Sequence, residues 1–232
     1  MIVIMVYDAI AASGSETFIL AYILTAFLSG LAFLALSRKW DNVPLKFPII
    51  HFFIVTWSGI MYLNFLNGTV FSDFGWYMDW LISTPLILLA LGLTAMHGRE
   101  TRWDLLSALM GLQFMLIVTG IISQESGQWY AFHVGNALLL GVIYLLWGPL
   151  RSMAQETSEK LGRSYTILAT YISAFFVLYP TAWYLSEVIY PAGPGLLGAF
   201  ETSVAFVILP FFCKQMYGFL DMYLLHKAEE EL

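Results

Sequence analysis

The sequence predicts an all-α membrane protein: a bundle of seven transmembrane helices with the N-terminus outside and the C-terminus in the cytoplasm. Three observations lead there: an apolar composition, seven long apolar runs, and a strict alternation of basic residues between the connections. Of 232 residues, 59% are hydrophobic and only 11% are charged, with a mean hydropathy of +0.76. Soluble domains do not reach such values. A helix needs about 20 apolar residues to cross a bilayer, so seven spans and short connections use up residues 1–232 as a single transmembrane domain. The expected location is a cell membrane, crossed several times.

The apolar runs place helices near residues 15–37, 47–67, 72–97, 101–123, 129–153, 160–190 and 196–227. Between them lie RKWDNVP, NGTVFSD, HGRETR, SQESGQ, MAQETSEKLGR and PAGPG, rich in turn formers and helix caps. The opening MIVIMVYDAIAASG lacks the basic start of a signal peptide. It reads as an ordered extracellular lead-in. Arg38, Lys39 and Lys46 fall in the first connection, Arg99 and Arg102 in the third, Arg151, Lys160 and Arg163 in the fifth, and Lys227 in the tail. Nine of the ten basic residues thus mark one side of the bundle as cytoplasmic. The net charge of −6 sits mostly on loop and terminal carboxylates such as the closing EEEL, read as solvated ends. The single cysteine, Cys213, reads as a small core residue. Neither a metal site nor a nucleic-acid partner is expected.

The tenth basic residue is Lys214, inside PFFCKQMYGFLDM. A charge at the bilayer centre costs roughly 2.5 kcal/mol or more, so an intramembrane lysine is a functional candidate. It lies roughly 20 Å along its helix from both Glu201 and Lys227, at about 1.5 Å per residue, too deep to snorkel easily to either surface. A neutral amine there can condense with an aldehyde, and the protonated product is a buried cation that needs a carboxylate partner. The third span offers one in WYMDWLISTPLILLA: Asp79 is its only acid, and Ser83 lies one turn further on the same face. An unpaired Asp79 would be as anomalous as the lysine, so pairing the two is the economical reading.

WYMDWLISTP together with a lysine in the last of seven helices resembles the microbial rhodopsins. The resemblance runs over the whole chain and includes MYL at 61–63, YPTAW at 179–183 and ET at 201–202. It implies that Lys214 carries all-trans retinal as a protonated Schiff base and that Asp79 is its counterion and first proton partner. By the same resemblance Trp80, Pro85, Phe176, Tyr179 and Trp183 line the polyene. Each of these aromatic residues alone reads as ordinary core; their joint placement on matching motifs points to a cofactor box.

Four departures from the outward proton pumps stand out. The arginine three residues before the counterion is Trp76, the carboxylate one turn before the lysine is Pro210, the internal proton donor is Ala90, and the threonine four residues after the counterion is Ser83. Trp76 and Pro210 belong with the cofactor-binding residues. Pro210 has no N–H to offer the carbonyl of Phe206, leaving a free acceptor near the chromophore. Proline here is similar to the xenorhodopsin family, and Trp76 to its inward proton-pumping branch. In that branch a His and Asp pair is taken to receive the released proton. His51, early in the second span, and Asp221, seven residues and roughly 10 Å beyond Lys214, match it. Each also has a plainer reading, an interfacial histidine and a boundary acid. Ser58, two turns deeper than His51, is the candidate for a route between the lysine and that pair. Asp73, Glu187 and Glu201 are outer candidates for uptake or gating, while His97, His133 and His226 suggest no role.

The resemblance therefore implies a light-driven inward proton pump, with protons as substrate, the lipid bilayer as surroundings and a homo-oligomer, trimer or pentamer, as assembly. The rival is a sensory rhodopsin signalling through a cytoplasmic partner, opposed by the short tail and Trp76. An enzyme is not expected, since a fused catalytic domain does not fit the length. A chloride or sodium pump is disfavoured by the retained Asp79.

Overall fold

A computed structural model describes the backbone of residues 2–68, 74–191 and 193–229, and the side chains of residues 7–68, 74–191 and 193–228. Seven helices are long and apolar enough to cross a membrane: Glu16–Lys39, Lys46–Leu66, Gly75–Ala95, Trp103–Ser126, Trp129–Thr157, Glu159–Leu185 and Ala199–Ala228, the first to seventh spans. Among the described residues no β-strand forms; a single β-bridge joins Ser186 and Leu197. The chain is a multi-pass membrane protein.

The bundle carries apolar residues on its surface as well as in its core. Leu20, Leu24, Leu28 and Leu31 of the first span point outward, whereas Ser58, Asp79, Thr94, Gln113, Lys214 and Asp221 are buried. Exposed leucine is stable only against hydrocarbon, and polar groups in a membrane must find partners inside the protein. The third span is 72% buried, against 28% for the fourth and fifth, and so forms the axis on which the site is built.

Three differences from the sequence expectation have local causes. The opening apolar stretch winds into a helix, Ile2–Ala11, that docks on the bundle through fully buried Ile10 and an edge-on contact of Tyr7 with Phe65 at 5.5 Å. The sixth span stops at Leu185 rather than continuing to 190. Beyond it the chain folds back, Glu187 donating to the carbonyl of Leu197 at 3.0 Å and Leu197 to that of Leu185 at 2.9 Å. The turn formers of PAGPG enforce that reversal although LSEVIY is apolar enough to extend a helix. The fifth span reaches Thr157 because Pro149 is absorbed in a π-helical turn, Leu146–Leu150. Ser158 then caps the sixth span, accepting from the Leu161 N–H at 3.1 Å.

The connections rich in basic residues share one end. Arg99 of the third meets Glu156 at the end of the fifth span at 3.0 Å, and Asn42 of the first connection donates to the carbonyl of His226 in the last helix at 3.0 Å. The exposed ion pair adds little stability. Its value is topological.

Candidate functional site

Pro210 sets the geometry of the seventh span. Lacking an N–H, it cannot close the helical bond to Phe206. The next six residues, Phe211–Met216, form a π-helical turn containing Lys214, a wide turn of the kind that gathers at functional positions. The freed carbonyl is not left open: the Tyr62 hydroxyl donates to the oxygen of Phe206. Tyr62 comes from the MYL motif, so two separately noted features meet in one contact.

Lys214 is completely buried, and its Nζ is ion-paired with Asp79, which is equally buried. Nζ also donates to Ser58 Oγ at 3.1 Å, and Ser58 donates to Asp79 Oδ2 at 3.0 Å. Tyr22 closes the cluster, its hydroxyl 2.5 Å from Ser58 Oγ. Asp79 Oδ1 is buried and takes no hydrogen bond from the described residues. Ser83 lies one turn along, as the spacing requires, but its hydroxyl donates to the backbone carbonyl of Asp79 at 2.7 Å and not to the carboxylate. It serves the helix backbone, while Ser58 serves the acid.

On the side of this pair away from the basic connections stands a wall of rings. Trp76 stacks on Phe65 at 5.2 Å and packs against Phe206 at 4.8 Å; Phe206 in turn meets Trp80 at 5.1 Å. Tyr179 contacts Trp80 edge-on at 5.3 Å. Behind Trp80 opens a cavity of about 70 Å³, whose walls comprise Trp80, Phe176, Tyr179 and Trp183 among others. Trp183 is fixed there by donating to the Tyr77 hydroxyl at 2.5 Å, which donates to Gln124 at 2.8 Å. An apolar cavity walled by these rings, with the Trp80 indole N–H unpaired beside it, suits an apolar ligand. Four of the five expected lining residues border this space. Pro85, Trp76 and Pro210 are buried in their helices but do not line it.

Toward the basic end of the bundle lies a second buried polar group. His51 Nε2 and Asp221 Oδ2 are 2.8 Å apart, both fully buried. Thr94 Oγ1 donates to the other carboxylate oxygen, Asp221 Oδ1, at 2.8 Å. The pair expected from the sequence is therefore a triad. Thr94 carried a weak signal, four residues and one turn beyond Ala90. Phe33 and Tyr217 flank the imidazole, each with ring centroids at 5.6 Å. Gly218 makes this packing possible, since a Cβ there would lie 2.6 Å from Phe33 Cζ and 3.2 Å from His51 Cγ.

The remaining candidates scatter. Asp73 lies outside the described residues. Glu187 and Glu201 are exposed near Gly198, at the end of the bundle away from the basic connections. His226 hydrogen-bonds Asn42 at 2.6 Å and stacks on Trp40, His97 approaches Phe47 edge-on, and His133 sits between Trp129 and Phe132.

A protein-family profile described as bacteriorhodopsin-like protein matches residues 13–228, nearly the whole chain. The chain belongs to the bacteriorhodopsin-like family. Among curated relatives, archaerhodopsin-2 of Halobacterium sp. (strain aus-2) is 30% identical over 169 residues, covering 70% of this chain and 61% of the relative. The chain thus spans less than two thirds of that relative's length. Bacteriorhodopsin of Haloterrigena sp. (strain arg-4) is 29% identical over 195 residues, covering 77% of this chain and 74% of the relative. A crystal structure described as that of the inward H(+) pump xenorhodopsin is 59% identical with a TM-score of 0.93, covering 97% of this chain and all of that one. Thermophilic rhodopsin from Rubrobacter xylanophilus superposes with a TM-score of 0.79 at 24% identity, covering 92% of this chain and 98% of that one, a likeness of fold alone. Rhodopsins of this bacteriorhodopsin-like family in general bind retinal through a Schiff base and act as light-driven transporters.

Proposed function

We propose that this chain is a light-driven inward proton pump that holds all-trans retinal on Lys214 as a protonated Schiff base. The observation that carries the reading is the asymmetry around Lys214: a wall of rings on the outer side, and the buried triad of His51, Asp221 and Thr94 on the side of the basic connections. The 59% identity to a structure described as an inward pump supports the same direction.

Retinal supplies light absorption and a change of shape at the Lys214 end. Everything else falls to side chains. Asp79, steadied by Ser58, balances the positive charge on Nζ. Trp80, Phe176, Tyr179 and Trp183 hold the apolar ligand and exclude water. A proton leaving Nζ meets aromatic carbon outward and, inward, the carboxylate of Asp221 roughly 10 Å down the same helix, paired with His51 of the second span. The second ring nitrogen of His51, Nδ1, has no hydrogen-bond partner among the described residues, which suits a transient proton acceptor. Reprotonation from outside, by way of Asp79 or water, completes the cycle. Net direction comes from which side Nζ can reach in each of two conformations.

The alternation of basic residues supports an N-terminus outside and a cytoplasmic C-terminus in a cell membrane, and the family likeness supports a homo-oligomer, trimer or pentamer. The deciding experiment is external pH in an unbuffered suspension of cells expressing the protein with all-trans retinal. Light should alkalinise the medium, and a protonophore should abolish the effect. Acidification would reverse the assigned direction. A coloured, photocycling protein with no pH change would move the reading to a sensor.

A further inference from the structure

We propose that Tyr22 is a positioning residue for Asp79, acting through Ser58. The inference rests on the reading of Asp79 as the partner of a positive charge on Lys214, and it follows from counting protons. An ionised carboxylate only accepts. Ser58 has one hydroxyl proton and lies 3.0 Å from Asp79 Oδ2, so that proton is committed to the acid. Tyr22 Oη is 2.5 Å from Ser58 Oγ, a distance that alone leaves the donor open. With the serine proton already on Asp79, Tyr22 has to be the donor. Ser58 Oγ then accepts from the Tyr22 hydroxyl and, at 3.1 Å, from Lys214 Nζ, which fills its hydrogen-bonding capacity.

The result is a directed chain, Tyr22 to Ser58 to Asp79, among three fully or nearly fully buried side chains. Aligned bonds in a low-dielectric interior polarise and strengthen one another. The Tyr22 hydroxyl also denies Ser58 its alternative rotamers, because the serine oxygen must stay within reach of both neighbours. Tyr22 itself is held by its ring, which packs on Tyr62 at 4.4 Å. The first span thereby contributes to the site although it carries no charged group near it.

The test is a double-mutant cycle of Tyr22→Phe and Ser58→Ala in the retinal-loaded protein, reading the dark absorption maximum. Tyr22→Phe keeps the ring and removes the hydroxyl. It should move the maximum in the protein that retains Ser58 and cause no further movement in the Ser58→Ala protein, the signature of a residue acting through another. Equal movement in both backgrounds, or none in the first, overturns the proposal. A second readout needs no chromophore: the infrared carboxylate stretch of Asp79 in the unloaded protein, assigned by subtracting Asp79→Asn, should move on Tyr22→Phe, and an unmoved band overturns the proposal too. A wild-type chain that folds but takes up no retinal would instead overturn the proposed function.

Discussion

Replacing Gly218 by alanine adds one methyl group at the point where the seventh span presses on the His51 triad. The new Cβ would lie 2.6 Å from Phe33 Cζ, 3.1 Å from its Cε1 and 3.2 Å from His51 Cγ. Ordinary contact begins at 3.4 Å, so the Phe33 ring has to retreat by about 0.8 Å. It has little room to do so. Phe33 is fully buried and its ring is already packed on Phe219 at 4.6 Å and on His51 at 5.6 Å. Overpacking of this kind costs about 1–3 kcal/mol. Part of the strain falls on the imidazole, whose 2.8 Å contact with Asp221 must lengthen or tilt. Gly218→Ala should therefore lower unfolding stability by about 1–3 kcal/mol in a denaturant titration in micelles. It should also slow proton release in flash photolysis with a pH-indicator dye, while leaving the colour unchanged because the Asp79 cluster is untouched. A variant as stable as the parent that releases its proton at the parental rate would refute the claim that this glycine sets the His51 geometry.

Other outcomes follow from the same contacts. Asp79→Asn removes the charge paired with Lys214 and should shift the absorption maximum strongly and disturb pumping, as visible spectra and light-induced pH traces will show. His51→Ala and Asp221→Asn should slow proton release with little change of colour; a pair of variants with an unchanged photocycle would remove both residues from the mechanism. Thr94→Val strips one donor from a fully buried carboxylate, at a cost of about 1–3 kcal/mol, and should slow the same step without touching the spectrum. Tyr62→Phe leaves the carbonyl freed by Pro210 without its donor and should destabilise the protein by a similar amount, about 1–3 kcal/mol, in thermal unfolding.

The parts of the site legible in the sequence are those whose residue type is anomalous in a membrane. Lys214, Asp79 and Asp221 are too costly inside an apolar span to go unnoticed, and the spans themselves are written in length and hydropathy. What sequence could not disclose is which common polar residue faces which partner across helices. Tyr22 and Thr94 are unremarkable as residue types, and only the packing of the first span on the second, and of the third on the seventh, brings them to Ser58 and Asp221. Ser83 shows the converse error. Its spacing from Asp79 was right, yet a serine one turn along a helix has the i−4 carbonyl nearer than the carboxylate, and bonds that instead. Hydropathy predicts a sixth span longer than the one observed for a related reason, since it cannot distinguish a helix from an apolar loop folded back on its end.

The wall formed by Phe65, Trp76, Phe206 and Trp80 has an electrical meaning for a protein with the proposed activity. A proton entering a cell travels with an inside-negative potential, releasing about 2.3 kcal/mol per 100 mV. A passive leak through the protein would run the same way and dissipate that potential without light. Stacked rings carry no sites at which a proton can pause, so in darkness they act as insulation on the side from which current would flow. On this reading Trp76, standing where the outward pumps keep a cation, is the part that makes the device a valve rather than a wire.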